Sequence, residues 1–467
     1  MSLTHPCESF GAGLTRRSFL KWSAAGATAM AARPGPARAQ GADSPRRPNI
    51  LIVTTDQQSL DTLSAFGIEG IHTPHFDRLA ARGVSFMESH STNPVCSPAR
   101  SSIYTGLMAS ETGVVENELA VRQGIPNMGQ WLGERGYETV YVGKWHVNQS
   151  YTLNIPGFRV IPAGNNGNGT LLDRSVSRAC EGFLRNRTGQ DPFLLVCSFL
   201  QPHDVCQWTS MHKKAPDEIS YPGIETDLPP LPANFDFDPL EPKSVSSQRT
   251  SQRTNWSEMQ WRYYIWSYYR MVEEVDAEIG RVLDALDDAG LAEDTLVIFT
   301  SDHGEGRGRH RMIVKNYLYD EAVKVPLIFA LPGRVAENVQ DREHLVSGAD
   351  IMATVCDFAG VEPPKGLTGG NLRPILEGRA AEWREFAMAE VKLTSATPGF
   401  MLRTADYKYI LYQGDPVEQL FDMKNDPGEM KNLAPDAKSA DILAAHRALL
   451  REQWSRMNFA PNAPKVA

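Results

Sequence analysis

Asn49-Ile50-Leu51-Ile52-Val53-Thr54-Thr55-Asp56-Gln57 sets the architecture. Its apolar residues run without alternation and are rich in β-branched side chains. That is the pattern of a strand buried on both faces rather than one with a wet side. Four further stretches read the same way: Thr139–Val142, Phe193–Phe199, Thr295–Thr300 and Val325–Leu331. Helical stretches lie between them. Thr73-Pro74 opens one with a cap residue and a first-turn proline, and Trp261–Ala289 is the longest. Strands alternating with helices predict an α/β fold, a large mixed and mostly parallel sheet covered by helices on both faces.

The remainder divides around that core. The 467 residues exceed what one hydrophobic core usually serves, so a second, smaller unit is expected. Phe386–Val391, Gly399–Arg403, Tyr407–Tyr412 and Gln419–Asp422 read as short strands with polar turns, followed by a helix from Ala440 to Arg456. We expect a small C-terminal antiparallel sheet plus helix over residues 380–467 and a catalytic domain over 40–379. The Pro-, Asp- and Ser-rich segment from Trp208 to Arg253 reads as a long loop shaping access to a site.

Residues 1–39 read as an address. Arg16-Arg17 precede an uncharged hydrophobic stretch from Trp22 to Ala32, and Ala37-Arg38-Ala39 resembles a small-x-small cleavage site. The pattern resembles a twin-arginine signal. It implies the twin-arginine export machinery as a partner and a periplasmic or secreted mature protein. No later run is long and apolar enough for stable membrane insertion. A net charge of −9 disfavours nucleic acid, and an anionic substrate then needs a local cluster of cations. Of six cysteines, Cys7 leaves with the signal. The odd remainder shows no paired spacing and no zinc pattern.

Candidate functional residues gather at strand ends, where open α/β sheets bind ligands. Asp56-Gln57 offers hard oxygen donors to a cation, although a plain turn has the same composition. Pro98 in Asn93-Pro94-Val95-Cys96-Ser97-Pro98-Ala99-Arg100 suits a first helical turn. Cys96 then sits near a helix N-terminus, where anions are favoured, with Arg100 able to reach back. Taken alone, Cys96 is equally a buried, redox or nucleophilic thiol. Gly143-Lys144-Trp145-His146 places a cation and an imidazole on one side of an extended segment. Gln201-Pro202-His203-Asp204 and Ser301-Asp302-His303-Gly304-Glu305 each follow a predicted strand, and Asp with His suits a divalent cation. Lys315 alone is a surface lysine. The basic run Gly304–Arg311 reads either as a solvated loop or as a set of contacts to further anionic groups on a substrate.

Together these residues resemble the type I sulfatase family, within the alkaline-phosphatase-like superfamily. Cys96-Ser97-Pro98-Ala99-Arg100 matches its Cys-x-Pro-x-Arg signature, which directs oxidation of the cysteine to formylglycine. The likeness runs from about Arg47 to Leu433. It includes Thr73-Pro74, Asp77-Arg78-Leu79, Gly143-Lys144-Trp145-His146, Ser301-Asp302-His303-Gly304 and Asn425-Asp426-Pro427.

The resemblance implies a sulfatase that hydrolyses sulfate esters, of carbohydrates by analogy, through a formylglycine hydrate made from Cys96 (3-oxoalanine) by a formylglycine-generating maturation enzyme. Asp56, Gln57, Asp302 and His303 would bind one divalent cation, with the modified Cys96 completing the shell. Calcium is the family's usual metal, and the nitrogen ligand leaves manganese or magnesium open. Arg100 and Lys144 would hold the formylglycine and His146 would contact its hydroxyls. His203 and Lys315 would bind the sulfate and its bridging oxygen, and Asn117 would add a polar contact. Two alternatives remain from the sequence: a phosphodiester or phosphonate monoester hydrolase of the same superfamily, and a non-catalytic sulfoglycan-binding protein should Cys96 stay a thiol.

Overall fold

The computed structural model describes residues 47–164, 167–212, 223–252 and 255–459. The signal read at residues 1–39 lies outside them. From Arg47 onward the chain forms one compact unit.

Its main sheet holds β1 (Asn49–Asp56), β2 (Val84–Phe86), β4 (Glu138–Gly143), β5 (Arg159–Ile161), β6 (Phe193–Pro202), β7 (Thr295–Ser301), β8 (Leu327–Ala330) and β9 (Val339–Asp341), while β3 (Ser89–His90) and β10 (Val346–Ser347) pair apart from it. The order across the sheet is β5-β4-β6-β1-β7-β8-β2-β9. β5, β4, β6, β1 and β7 run parallel, and β8 turns the sheet mixed by pairing antiparallel with β7 and β2.

The unbroken apolar run of β1 has a simple cause. Leu51 and Val53 face helices Pro74–Ala81, Gly169–Arg185 and Glu258–Asp288, whereas Ile50 and Ile52 face helices Cys96–Thr105 and Asp350–Phe358. All four side chains are fully buried, so neither face of the strand tolerates a polar residue. Within the first of these cores the Cys180 and Cys197 thiols lie 2.7 Å apart, and both are free.

The C-terminal strands β11 (Phe386–Val391), β12 (Gly399–Thr404), β13 (Tyr407–Tyr412) and β14 (Gln419–Asp422) form an antiparallel sheet in sequence order. Helix Ala440–Ser455 packs Leu443, Leu450 and Trp454 on one face of it. On the other face Met401, Ile410 and Phe421 cover Tyr317, Leu318 and Tyr319, so this sheet backs the segment that carries Lys315. At the same junction the fully buried Lys408 ammonium reaches Asp320 at 2.8 Å and Glu429 at 2.7 Å.

Between Trp208 and Arg253 the structure differs from the loop expected there. Helix Val205–His212 overlaps its start and Lys243–Gln252 is a second helix, while residues 213–222 and 253 lie outside the described set. The second helix is Lys-Ser-Val-Ser-Ser-Gln-Arg-Thr-Ser-Gln, with only Val245 and Gln252 buried. It has no apolar stripe to reveal it, and its side-chain hydrogen bonds hold it in place.

Candidate active site

β4, β6, β1 and β7 are adjacent and parallel, so their carboxyl ends open on one edge of the sheet. The register aligns Gly143 with Ser198, Ser198 with Thr54, and Thr55 with Ser301. Lys144, Asp56 and Asp302 each follow or end one of these strands and meet at one level.

Helix Cys96–Thr105 points its N-terminus into this edge, with Cys96 as its first residue. Val95 offers no side-chain cap. The Ser97 N–H instead donates to Asn117 Oδ1 at 3.0 Å, which brings the exposed Asn117 to the mouth. Cys96 Sγ lies 3.2 Å from His303 Nε2, 3.8 Å from Asp56 Oδ1 and 3.5 Å from Lys315 Nζ.

Arg100 sits one turn into the same helix and bridges the two carboxylates. Its Nη2 is 3.0 Å from Asp56 Oδ2 and its Nε is 2.9 Å from Asp302 Oδ2. Lys144 Nζ is 2.7 Å from Asp56 Oδ2. The Lys144 carbonyl accepts from Arg100 Nη1, Tyr141 Oη and Ser198 Oγ, so the turn carrying this lysine is pinned from three sides.

Gly143 allows that turn. Its φ is +102°, and a Cβ there would stand 1.9 Å from the Ser198 carbonyl oxygen. Gly143→Ala is expected to lower stability by about 2–3 kcal/mol and kcat/KM by on the order of a hundredfold as Lys144 shifts. Urea unfolding and steady-state kinetics test both, and unchanged kinetics would refute the coupling.

Trp145 locks the next step of the turn by stacking on Tyr104 at 5.0 Å. His146 follows, 9% exposed at φ +50°, with its Nδ1 buried and lacking a protein partner. His203 follows β6. Burial pushes its imidazole down to about 3; Asp56 opposes the shift, and Lys315 and Lys144 add to it.

The approach to His203 is held by Asp173, whose carboxyl accepts the Leu200 and Gln201 N–H groups at 2.7 and 2.8 Å. Burial pushes this carboxyl up to about 8 from its ordinary 3.8. The folded protein therefore holds a proton between those values that the unfolded chain releases. The associated stability is complete below 3.8 and is lost as pH rises through about 8. Asp173→Asn should flatten the decline of unfolding free energy across that window, and an unaltered pH slope in denaturant titrations would count against the assignment.

Burial alone would raise the Asp56 carboxyl. Lys144, His203, Arg100 and Lys315 outweigh it and hold Asp56 well below the usual carboxylate range. Burial and Asp56 likewise oppose ionisation of Cys96, yet Lys315, Lys144 and His303 bring the thiol well below its ordinary value. Donor atoms of Asp56, Cys96, Asp302 and His303 all lie within 4.8 Å of one another, and all four residues are buried. His303 Nδ1 is 3.0 Å from the Gly304 carbonyl. That contact assigns the ring proton to Nδ1 and leaves the Nε2 lone pair facing the cluster. Two carboxylates and an imidazole nitrogen in a dry recess fit one divalent cation.

Gln57 adopts φ +72° and turns its amide between Lys315, which donates to Oε1, and Glu305, which accepts from Nε2. Glu305, fully buried, also accepts from Tyr264 Oη and the Val314 N–H. Neither Glu305 nor Ser198 was assigned a role from sequence. Ser198 is hidden in an apolar strand, and Glu305 borders a motif whose Asp and His explain themselves.

Ion pairs engage the basic run. Arg307 and Arg309 both pair with Asp61, Arg311 pairs with Asp236, and His310 lies 2.9 Å from Glu321. Arg307 is only 3% exposed.

The profile described as Sulfatase matches residues 48–361, and that described as N-sulphoglucosamine sulphohydrolase, C-terminal, matches residues 308–456. The chain belongs to the sulfatase family. This sulfatase is 32% identical over 452 residues to the Delta 4,5-hexuronate-2-O-sulfatase of Bacteroides thetaiotaomicron, covering 89% of this chain and 90% of the relative. The structure of a 2-O GAG sulfatase superposes with a TM-score of 0.79 at 31% identity, over 88% of this chain and 92% of the other. The phosphonate monoester hydrolase of Agrobacterium radiobacter superposes at 0.72 with 25% identity, over 88% and 96%. These matches place the sulfatase in the alkaline-phosphatase-like superfamily and make it a sulfuric ester hydrolase.

Proposed function

We propose that this sulfatase removes a sulfate ester from a carbohydrate, using formylglycine made from Cys96 beside one divalent cation. The observation that carries this is the meeting of Cys96 Sγ with Asp56, His303 and Lys315 on a positive helix N-terminus. When present, the hydrated aldehyde supplies an oxygen nucleophile, and the cation, held by Asp56, Asp302 and His303 with Gln57 beside them, lowers its pKa.

The remaining work falls to side chains. Lys144 and Arg100 fix the carboxylates and face residue 96, and Lys315 lies where a sulfuryl oxygen would gather negative charge. His203 donates a proton to the leaving alcohol. Burial and two lysines hold its imidazole low, and the negative charge of a sulfate between them opposes that shift. His146, with a free Nδ1, accepts the hydroxyl proton whose removal lets sulfate leave.

Cys96 is 1% exposed, so a maturation enzyme must reach it before the fold closes. Calcium, with its preference for hard oxygen donors, is the metal we assign. The leader supports export through the twin-arginine machinery to the periplasm or beyond. Both glycan sulfatase relatives cited above support a sulfated saccharide as substrate.

A desulfation screen over defined sulfated saccharides tests the substrate class, using protein co-produced with the maturation enzyme. Mass spectrometry of the Cys96 peptide, whose mass falls on conversion, and elemental analysis test the centre. A kcat/KM for an aryl phosphodiester above that for the aryl sulfate would instead support the phosphonate hydrolase-like reading.

A further inference from the structure

The turn between β11 and β12 carries a lysine that the catalytic centre does not use. Lys392 is half-buried and adopts φ +54°, a left-handed conformation that a side-chain-bearing residue holds only when its surroundings impose it. Its Nζ donates to the Ser244 carbonyl at 3.0 Å and lies 5.7 Å from the centre of the Tyr412 ring. Among the described residues no carboxylate pairs with it. Arg100, Lys144, Arg307 and Lys408 each have a carboxylate partner, and Lys315 instead reaches Gln57 Oε1 and Cys96 Sγ within the centre. Burial pushes the Lys392 ammonium down to about 8, and no counter-charge offsets the shift. A desolvated cation held in a strained turn without an anion is an incomplete ion pair.

Two independent tethers place this turn at the mouth of the site. The first is helix Lys243–Gln252. Lys392 Nζ and Thr397 Oγ1 both engage Ser244, one through its carbonyl and the other 2.7 Å from its hydroxyl. One helical turn further on, about 6 Å along the axis, Gln248 Nε2 donates to the Lys315 carbonyl at 2.6 Å. Gln252 continues the row by exchanging two hydrogen bonds with Ile313. The helix thus splints the Lys315 segment and presents Lys392 beside it. The second tether comes from the opposite wall. Thr394 Oγ1 donates to Glu116 Oε2 at 3.0 Å, and the neighbouring Asn117 accepts from Ser97, next to Cys96.

We propose that Lys392 is a specificity-determining residue whose ammonium binds an anionic group, a carboxylate or a second sulfate, on the saccharide that carries the scissile ester. This rests on the carbohydrate reading above. The three cations around residue 96 serve the sulfate that leaves, and Lys392 stands outside them, where only a substrate larger than a sulfate ion reaches.

The test compares three saccharide sulfate esters: one bearing a uronate carboxylate, its carboxyl-reduced alcohol, and the alcohol with a second sulfate. The readout is the ratio of kcat/KM between each anionic substrate and the alcohol. Enzyme concentration and folded fraction cancel in that ratio, so a partly misfolded variant still reports. Wild-type protein should favour at least one anionic substrate by about tenfold or more. Lys392→Ala should bring that ratio close to one and Lys392→Arg should largely restore it. The arm that responds identifies the anion as carboxylate or sulfate. A preference that survives in Lys392→Ala, or a wild type that turns over all three alike, overturns the proposal alone. Wild-type protein that desulfates none of the three removes the carbohydrate reading, and Lys392's role with it.

Discussion

Cys96→Ala should lower kcat/KM by on the order of 10⁵ while leaving the unfolding midpoint nearly unchanged. The two effects separate because Cys96 is a reacting group and not a support. Arg100 and Lys144 hold Asp56, and Arg100 holds Asp302, without help from the sulfur. Alanine keeps the helix start, which takes no side-chain cap from residue 95. Residual turnover within a hundredfold of wild type would show that residue 96 is not the nucleophile.

Arg100→Ala should do the opposite and damage fold and function together. Its guanidinium is 1% exposed and spans Asp56, Asp302, Ser198 and the Lys144 carbonyl. Removing it leaves Asp302 without its cation in a dry recess, an imbalance that costs about 3–5 kcal/mol. It also frees the turn that aims Lys144, so kcat/KM should fall by more than about a hundredfold. Arg100→Lys retains the charge but has one nitrogen where two carboxylates must be bridged, and should recover stability only in part. Chemical denaturation of both variants measures this. A loss below about 1 kcal/mol in the alanine variant would mean that the recess rehydrates and that the bridge is not structural.

Much of the architecture is legible in the chain because β1, β4, β6 and β7 are buried on both faces. That burial forces unbroken apolar runs, and the polar residues that end them stand out. Such endings bring Asp56, Lys144, His203 and Asp302 to notice. Lys315 is different. It lies on an irregular segment held by Gln248, Gln252 and the C-terminal sheet, so nothing local distinguishes it from a surface lysine.

The helix Lys243–Gln252 was missed for a related reason, since its side chains bind polar backbone and not a core. The ion pairing of the arginine run is not legible because its partner Asp61 lies 246 residues before Arg307 in the chain. Charge complementarity at that separation leaves no local pattern.

The Lys408 contact bears on how the protein is made. Asp320 lies five residues after Lys315, yet its closer and fully buried counter-charge, Lys408, arrives 88 residues later, on β13. A nascent chain with every strand of the large sheet already emerged from the ribosome has that carboxylate paired only with the half-buried Lys324, at 3.8 Å, beside the segment that aims Lys315. Translation of the last hundred residues is therefore the step that completes the chemistry. A chain terminated early, by a nonsense codon or a protease, would be left as a scaffold without a working centre.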